Sequence, residues 1–378
     1  MELQIDRVSL LNSLSMVQGI VERRNTVPIL GHVLIEPDGN KLRLSATDLE
    51  VGIRTEVACE VSAKGTLTLN ARKLFEIVRE AEGDKVALKS LDKDWVEIKC
   101  GRARFKMMGL DSRSFPAMPS KTEKPGEAAR KAAKGELKIT ATILSAMIDK
   151  TLFAVSPDEA RYNLSGVFIE SPGPGSLRMV ATDGHRLALV DREVPGFSMQ
   201  GGTIIPRKGM AELRKLLDQA GDSDVELVID GQLAWLRRGG TEVSMRLVEG
   251  EFPDYRGVIP KESRYHISVV REALASAIKR AAIFSNERYH GVKLSFTAGS
   301  LTVSSTSPEM GEASETLDID FNGDEFSVGF NASYLQQVLG VLPAESEIVL
   351  GLSDEVSPGA LTTPSDGGYQ YVVMPMRL

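Results

Sequence analysis

Apolar residues fall at helical spacing in three well-separated places along the chain. The sets are Leu10, Leu11, Leu14 and Val17, then Ile143, Leu144, Met147 and Ile148, then Leu274, Ile278, Ala281 and Ala282. Spacings of three and four put each set on one helix face. Runs of alternating apolar and polar positions follow each helix. The clearest is Leu177-Arg178-Met179-Val180-Ala181-Thr182, which meets Asp183-Gly184 and continues as His185-Arg186-Leu187-Ala188. That pattern predicts a strand, a tight turn and a second strand. A second helix is predicted near 71–80, 207–218 and 332–341. Short strands close each segment at 85–89, 225–229 and 348–352, and again at 104–108, 242–247 and 371–376.

The three segments are copies of one another. Thr47-Asp48 and Thr182-Asp183 lie 135 residues apart, and Thr306 stands 124 further on. Ala71-Arg72-Lys73 matches Pro206-Arg207-Lys208 and Ala332-Ser333-Tyr334, and Phe115-Pro116 matches Phe252-Pro253. A period this long means triplication of a whole domain, not a solenoid. The expected domains are 1–120, 136–260 and 261–378, with 121–135 as a charged linker lacking aromatics. Two helices and several antiparallel strands per copy indicate an α+β class, with the helices on one face of the sheet.

Composition narrows the class only a little. The chain has 378 residues, is 42% hydrophobic and 26% charged, and has no run of about 18 apolar residues that could cross a membrane. The start, Met1 to Arg7, lacks a signal-peptide pattern, so the expected location is cytoplasmic. Cys59 and Cys100 are too few for a disulfide framework and fit buried thiols. The net charge of −7 is unevenly spread. Residues 1–120 carry 18 basic and 17 acidic side chains, whereas residues 261–378 carry 8 and 15. Such asymmetry speaks of partners and association.

Thr182-Asp183-Gly184-His185-Arg186-Leu187-Ala188, Phe252-Pro253-Asp254-Tyr255-Arg256, Arg280-Ala281-Ala282-Ile283, Ser285-Asn286-Glu287 and the terminal Tyr371-Val372-Val373-Met374-Pro375-Met376-Arg377-Leu378 closely resemble the bacterial β sliding clamp family. These are the processivity subunits of DNA polymerase III, and the match runs in order through all three copies. The resemblance implies three tandem clamp domains and a head-to-tail homodimeric ring around double-stranded DNA. It implies an accessory subunit of a DNA-directed DNA polymerase, a nucleotidyltransferase, that performs no catalysis itself and needs no cofactor or metal. The implied partners are the replicative polymerase, the clamp loader, and repair or translesion polymerases, each docking through a short peptide.

Charge and pattern supply a candidate join. Arg102, Arg104 and Lys106 surround Phe105 and Met107 on the last strand of the first copy. The third copy offers Glu309, Glu312, Glu315 and Asp318 beside Ile283 and Phe284. An apolar centre flanked by opposite charges suits a specific interface, and Lys73 is expected at its border. Contact with DNA is expected to be electrostatic and blind to sequence, because a ring that slides is hindered by base readout. The candidates are Arg24, Arg72, Arg79, Lys150, Arg207, Lys208, Arg214, Lys215, Lys279 and Arg280. The resemblance adds the loop with Arg161 and Tyr162, where Asn163 replaces a second aromatic common in the family.

The resemblance also implies a peptide-binding pocket. Its expected walls are Leu164, Thr182, Gly184, His185, Arg186, Leu187, Pro253, Val258, Val356, Pro358 and the tail Val372, Val373, Met374, Pro375, Met376, Arg377 and Leu378. The methionines give an adaptable apolar surface, and Arg186 or Arg377 is expected to hold a carbonyl or carboxylate of the peptide. Gly257 stands where many family members have a second arginine.

Two rival classes remain open on sequence alone. An enzyme could use Asp183 and His185, but none of His32, His185, His266 and His290 has ligand spacing to another His or Cys. A triplicated protein-binding scaffold without DNA encirclement suits the net acidity but not the basic residues on the helices.

Overall fold

The structure, a computed structural model, describes residues 1–21, 27–119, 134–158, 160–218, 220–286 and 288–377. Arg24, Leu378 and residues 121–133 of the expected linker lie outside them. Lys134 and Gly135, expected as the end of that linker, instead open the strand Lys134–Thr140.

Six α-helices occur among the described residues. They are α1 (Arg7–Ile20), α2 (Ala71–Glu80), α3 (Ala141–Thr151), α4 (Arg207–Asp218), α5 (Arg271–Ala281) and α6 (Ala332–Gly340). The apolar spacing is borne out at most positions, although Ile143 of α3 is exposed. Leu10, Leu14 and Val17 of α1 and Leu274 and Ile278 of α5 are buried. Three of the helices, α1, α2 and α6, start at side-chain caps. Asp6 accepts from Ser9 N at 2.8 Å, Asn70 from Lys73 N at 3.1 Å and Asn331 from Ser333 N at 2.8 Å. Such a cap fills one of the unpaired donors of the first turn.

The chain divides into two compact units. The first holds Met1–Ser145, Met199–Gly201 and Lys208–Leu247, and the second holds Ala146–Ser198, Gly202–Arg207 and Val248–Leu378. In the first, one sheet of thirteen strands runs from Met199–Gln200 through Lys134–Thr140, Asp224–Asp230, Leu233–Arg238 and Thr241–Arg246 to the long strand Val51–Ala63. It continues through Glu2–Asp6, Lys85–Ser90 and Trp95–Cys100, and ends at Ala103–Met108. In the second, an eight-stranded sheet carries Ser176–Thr182, Arg186–Glu193 and Tyr369–Val373 side by side. A separate four-stranded sheet has Gly311–Asp318 at its edge.

The sheets do not stop at the repeat boundaries. Val51–Thr55 of the first copy pairs antiparallel with Thr241–Met245, the closing strand of the second, with Val51 opposite Met245. Arg186–Val190 of the second copy pairs with Tyr369–Val373, the closing strand of the third, with Arg186 opposite Val373. Among the described residues, the corresponding strand of the third copy, Gly311–Asp318, pairs only with Ser300–Ser307. Likewise among the described residues, the closing strand of the first copy, Ala103–Met108, pairs only with Trp95–Cys100.

The last strand is shorter than its apolar run. It ends at Val373, after which Met374 N donates to His185 O at 2.9 Å and Met376 N to Gly329 O at 2.8 Å. Pro375 has no N–H to give, which breaks the ladder between them. Beneath α5 and α6, Phe296 is fully buried and stacks on Phe326 at 4.8 Å, with Phe321 at 5.9 Å. Phe296→Ala is expected to cost about 3–5 kcal/mol of stability, read as a lower midpoint of urea unfolding followed by circular dichroism.

Candidate functional site

The turn that joins Ser176–Thr182 to Arg186–Glu193 is built by two side chains. Thr182 Oγ1 donates to Arg186 O at 2.6 Å and accepts from Gly184 N at 3.1 Å. Asp183 Oδ1 accepts from His185 N at 2.9 Å and Arg186 N at 3.1 Å. Gly184 sits at φ +87°, a left-handed conformation that glycine adopts without a Cβ penalty. The first copy makes the same turn. Thr47 Oγ1 donates to Val51 O and accepts from Leu49 N, both at 3.0 Å, and Asp48 Oδ1 accepts from Glu50 N and Val51 N at 2.9 and 2.7 Å. There Leu49 takes the left-handed position, at φ +83°.

Beside the second turn lies a cleft with a cavity of about 190 Å³. Its floor is an apolar cluster of Val180, Leu187, Leu189, Tyr255 and Val372, with Phe168, Phe252 and Ile259 packed against it. Strand alternation brings Leu187 and Val372 to this face, directly opposite each other in the ladder. Of the expected pocket residues, Leu164, Thr182, Gly184, His185, Arg186, Leu187, Pro253, Val258, Val372 and Met374 line the cleft. Asp254 and Tyr255 also line it and were not expected, although they lie inside the Phe252–Arg256 motif.

The other expected wall residues fall elsewhere. Val373 is the neighbour of Val372, so its side chain takes the opposite face, among Leu274, Phe330 and Leu335. Val356, Pro358, Pro375, Met376 and Arg377 do not line the cleft. Val356 and Arg377 are exposed, and Met376 is tied to Gly329 through its main chain.

Arg186 corrects an expectation. It does not offer its guanidinium to a ligand, because every edge of that group is turned inward. The residue is 7% exposed. Nε donates to Asp183 Oδ2 at 3.0 Å, Nη2 to Phe153 O at 2.7 Å and Nη1 to Gln337 Oε1 at 2.5 Å. The guanidinium lies 4.3 Å from the Tyr334 ring centre and 5.4 Å from that of Phe153. Tyr371 OH donates to Tyr334 O at 3.0 Å, and burial pushes the Tyr371 phenol up. Both oxygens of Asp183 are therefore occupied, one by the turn and one by Arg186.

On the far side of the cleft, Tyr255 is 3% exposed. Its OH donates to Glu170 and accepts from Arg178 Nη1, the latter at 3.1 Å. Arg178 is held by Asp191 at 2.7 and 2.6 Å, and Arg256 donates to both Glu170 oxygens at 3.0 Å. Burial, helped by the bond to Glu170, raises the Tyr255 phenol. The wall is thus an aromatic face whose polar end is fixed outside the cleft. An apolar, enclosed floor with few polar groups takes apolar side chains rather than ions.

The basic residues separate into groups. Arg207 and Lys279 are exposed on α4 and α5, and Tyr162 is 61% exposed. Arg161 Nη1 donates to Asp183 O at 3.1 Å, and Arg72 Nη2 to Val21 O at 3.3 Å. Arg79 pairs with Glu80, Lys208 with Asp48, Arg214 with Asp218 and Lys215 with Glu212. Arg280 and Glu315, expected in different surfaces, hold each other at 2.6 and 2.5 Å. Lys73 pairs with Glu76 at 2.7 Å, and Arg104 with Glu97 at 2.5 Å. Phe105, Met107 and Phe284 are half-buried, while Arg102, Ile283, Glu309 and Glu312 are exposed.

Lys150 is the clearest departure from the expected DNA-facing set. Its side chain is 14% exposed and pairs with Asp366, which Arg192 also grips with two bonds. Burial raises the Asp366 carboxyl, but the bonds from Arg192 and Lys150 outweigh it, and the net shift is downward. A depressed carboxylate adds stability above its unfolded pKa and loses it as pH falls through the folded value. Asp366→Asn is expected to lower stability by about 2 kcal/mol at pH 7, with the gap to the parent closing as pH falls from 5 toward 3. Urea melts at each pH check this.

The comparisons with known proteins agree along the whole chain. Residues 1–119, 138–254 and 256–377 match the N-terminal, central and C-terminal domains of the DNA polymerase III beta subunit. The beta sliding clamps of Caulobacter vibrioides and Pseudomonas aeruginosa are each 37% identical over 100% of both chains. A Caulobacter crescentus pol III beta structure superimposes with a TM-score of 0.91 at 36% identity, over 100% of both chains. A Pseudomonas aeruginosa sliding clamp bound to griselimycin gives a TM-score of 0.90 at 36% identity, again over 100% of both.

Proposed function

The chain belongs to the DNA polymerase III beta subunit family, and we propose that two copies close head to tail into a ring around duplex DNA. In this reading the ring tethers the replicative polymerase in the cytoplasm, has no chemistry of its own, and takes short peptides of polymerase, loader and repair partners in the Leu164–Met374 cleft. Val372 and Met374 of the tail, together with Leu187, Pro253 and Val258, supply the apolar surface such peptides require.

The observation that carries the ring is the unfinished strand pairing. Twice within the chain, the strand after the turn is covered by the closing strand of the next copy. The third such strand, Gly311–Asp318, and the first copy's closing strand, Ala103–Met108, are both edges. Unpaired edges are templates for a further strand. Each edge would complete the other in a second chain, so that the same junction occurs throughout. A heterologous contact of this kind closes only when its rotation closes, and three copies in each of two chains supply six near-equal steps.

Equivalence between copies also gives the register. Gly311 stands where Val51 and Arg186 stand, just after the turn. Met108 stands where Met245 and Val373 stand. Met245 and Val373 are 1% and 3% exposed, whereas Met108 is 59% exposed. Placing Met108 opposite Gly311 puts Arg104 opposite Glu315. In the single chain these two pair instead with Glu97 and Arg280. Phe105 and Met107 would then lie against Phe284, which already rests on Gly311, and against Ile283.

Contact with DNA in this account is a weak, distributed attraction to phosphates. Arg207 and Lys279 are its leading candidates, with Arg161 and Tyr162 on the loop before Leu164. The paired arginines and lysines contribute less, since each already answers a carboxylate. Lys150 is no part of it. Charging the join with Ile283→Asp and Phe284→Asp is expected to leave a folded monomer of 41.1 kDa. Light scattering with circular dichroism checks this, and a mutant that remains dimeric refutes the assigned interface.

A further inference from the structure

The bonds around Arg186 extend to a residue outside every motif that first marked the cleft. Gln337 lies on the exposed side of α6, yet its Oε1 accepts from Arg186 Nη1 at 2.5 Å. Arg186 in turn holds Asp183 at 3.0 Å, and Asp183 holds the main-chain N–H groups of His185 and Arg186. Gly184, His185 and Leu187 line the cleft. A chain of hydrogen bonds thus runs from the surface of α6 to the rim.

Comparison of the copies separates this chain of bonds from what the fold needs. The first copy forms the same turn with Val51 in the place of Arg186. Its Asp48 is answered by Lys208. At the position of Gln337, five residues beyond Ala332, the second copy has Ala211, five beyond Pro206, which offers no side-chain acceptor. In α2 the same position is Glu76, paired with Lys73 at 2.7 Å. Where Leu187 faces the cleft, the first copy has Gly52, and Met118 packs against it. So the turn folds without an arginine. Among the described residues, the Arg–Gln link occurs only at the copy whose turn borders an open cleft.

A neutral acceptor suits the position. Asp183 already neutralises Arg186, so the remaining N–H needs an oxygen but not a second charge. Losing that acceptor leaves a largely buried charged donor underpaired and frees the guanidinium to shift. The turn would follow, because Arg186 N and Nε are both bonded to the same carboxylate.

We propose that Gln337 is a positioning residue of the cleft, acting through Arg186 to fix the 182–187 turn in its ligand-ready form. This rests on the reading of the cleft as a ligand pocket, and the test keeps the two apart. The variants are Gln337→Leu, which removes the acceptor, and Gln337→Glu, which keeps it. The side chain is on the exposed face of α6, so both are expected to fold. Hydrogen exchange at the Gly184 and His185 amides needs no ligand. It is expected to quicken severalfold in Gln337→Leu, to stay near the parent rate in Gln337→Glu, and to be unchanged in both at Met179 and Val190. By calorimetry, Gln337→Leu is expected to bind griselimycin about fivefold more weakly, the scale of one ordinary net hydrogen bond, and Gln337→Glu to recover most of that loss. Parent-like exchange in Gln337→Leu, or equal losses in both variants, would overturn the proposal. Failure of the parent to bind griselimycin would count against the pocket reading alone, with exchange at the two amides still deciding this one.

Discussion

The second unit is organised around one buried charge. Arg186 brings a guanidinium to a place that is 7% exposed, and three partners from separate parts of the chain meet it there. Removing one partner of such a buried pair typically costs about 3–5 kcal/mol, because the other is left without compensation. The direct result is a fixed turn. The indirect result is a clean division of labour across the strand Arg186–Glu193. Arg186 points its charge to the helix side, and Leu187 presents an apolar wall to the cleft. Tyr255 is treated in the same way from the other side, with its ring in the cleft and its hydroxyl bound by Glu170 and Arg178. An apolar pocket with no loose charge in its floor is the consequence.

Triplication explains why a pocket can exist at one turn and not another. The Thr-Asp turn is a local device that each of the first two copies closes by itself. What surrounds it differs. In the first copy Met118 packs over Gly52, and in the second Leu187, Pro253 and Val372 leave a cleft. Among the described residues, the same repetition leaves Ala103–Met108 and Gly311–Asp318 as sheet edges. The two edges are complementary in charge, one bearing Arg102, Arg104 and Lys106 and the other Glu312, Glu315 and Asp318.

Much of this was legible in the sequence because it is local. The helix over 71–80 begins at the Asn70 cap, the helices over 71–80 and 207–218 follow apolar spacing, and the turn at 182–186 is written in Thr, Asp and Gly. The cleft residues Leu164 to Leu187 followed from resemblance of short motifs. The pairing of closing strands with the preceding copy was not readable from periodicity, since a ladder partner leaves no mark on either strand alone. Nor was the role of Arg186. An arginine beside a turn reads as a surface ligand until Phe153 and Gln337, distant in sequence, are found around it with the neighbouring Asp183. Lys150 misled for the same reason, its carboxylate lying 216 positions away at Asp366. Val373 was placed in the wall by the tail motif, and alternation sends it to the opposite face.

The central claim is topological: this chain grips DNA by enclosing it. The most direct measurement loads the protein onto a nicked circular duplex at low salt. The salt is then raised to suppress phosphate contacts, and protein co-eluting with DNA is followed by gel filtration before and after a single cut linearises the circle. The account predicts that protein stays with the circle at high salt and is lost once the DNA has ends. Equal retention on circular and linear DNA, or none on either after low-salt loading, would contradict it.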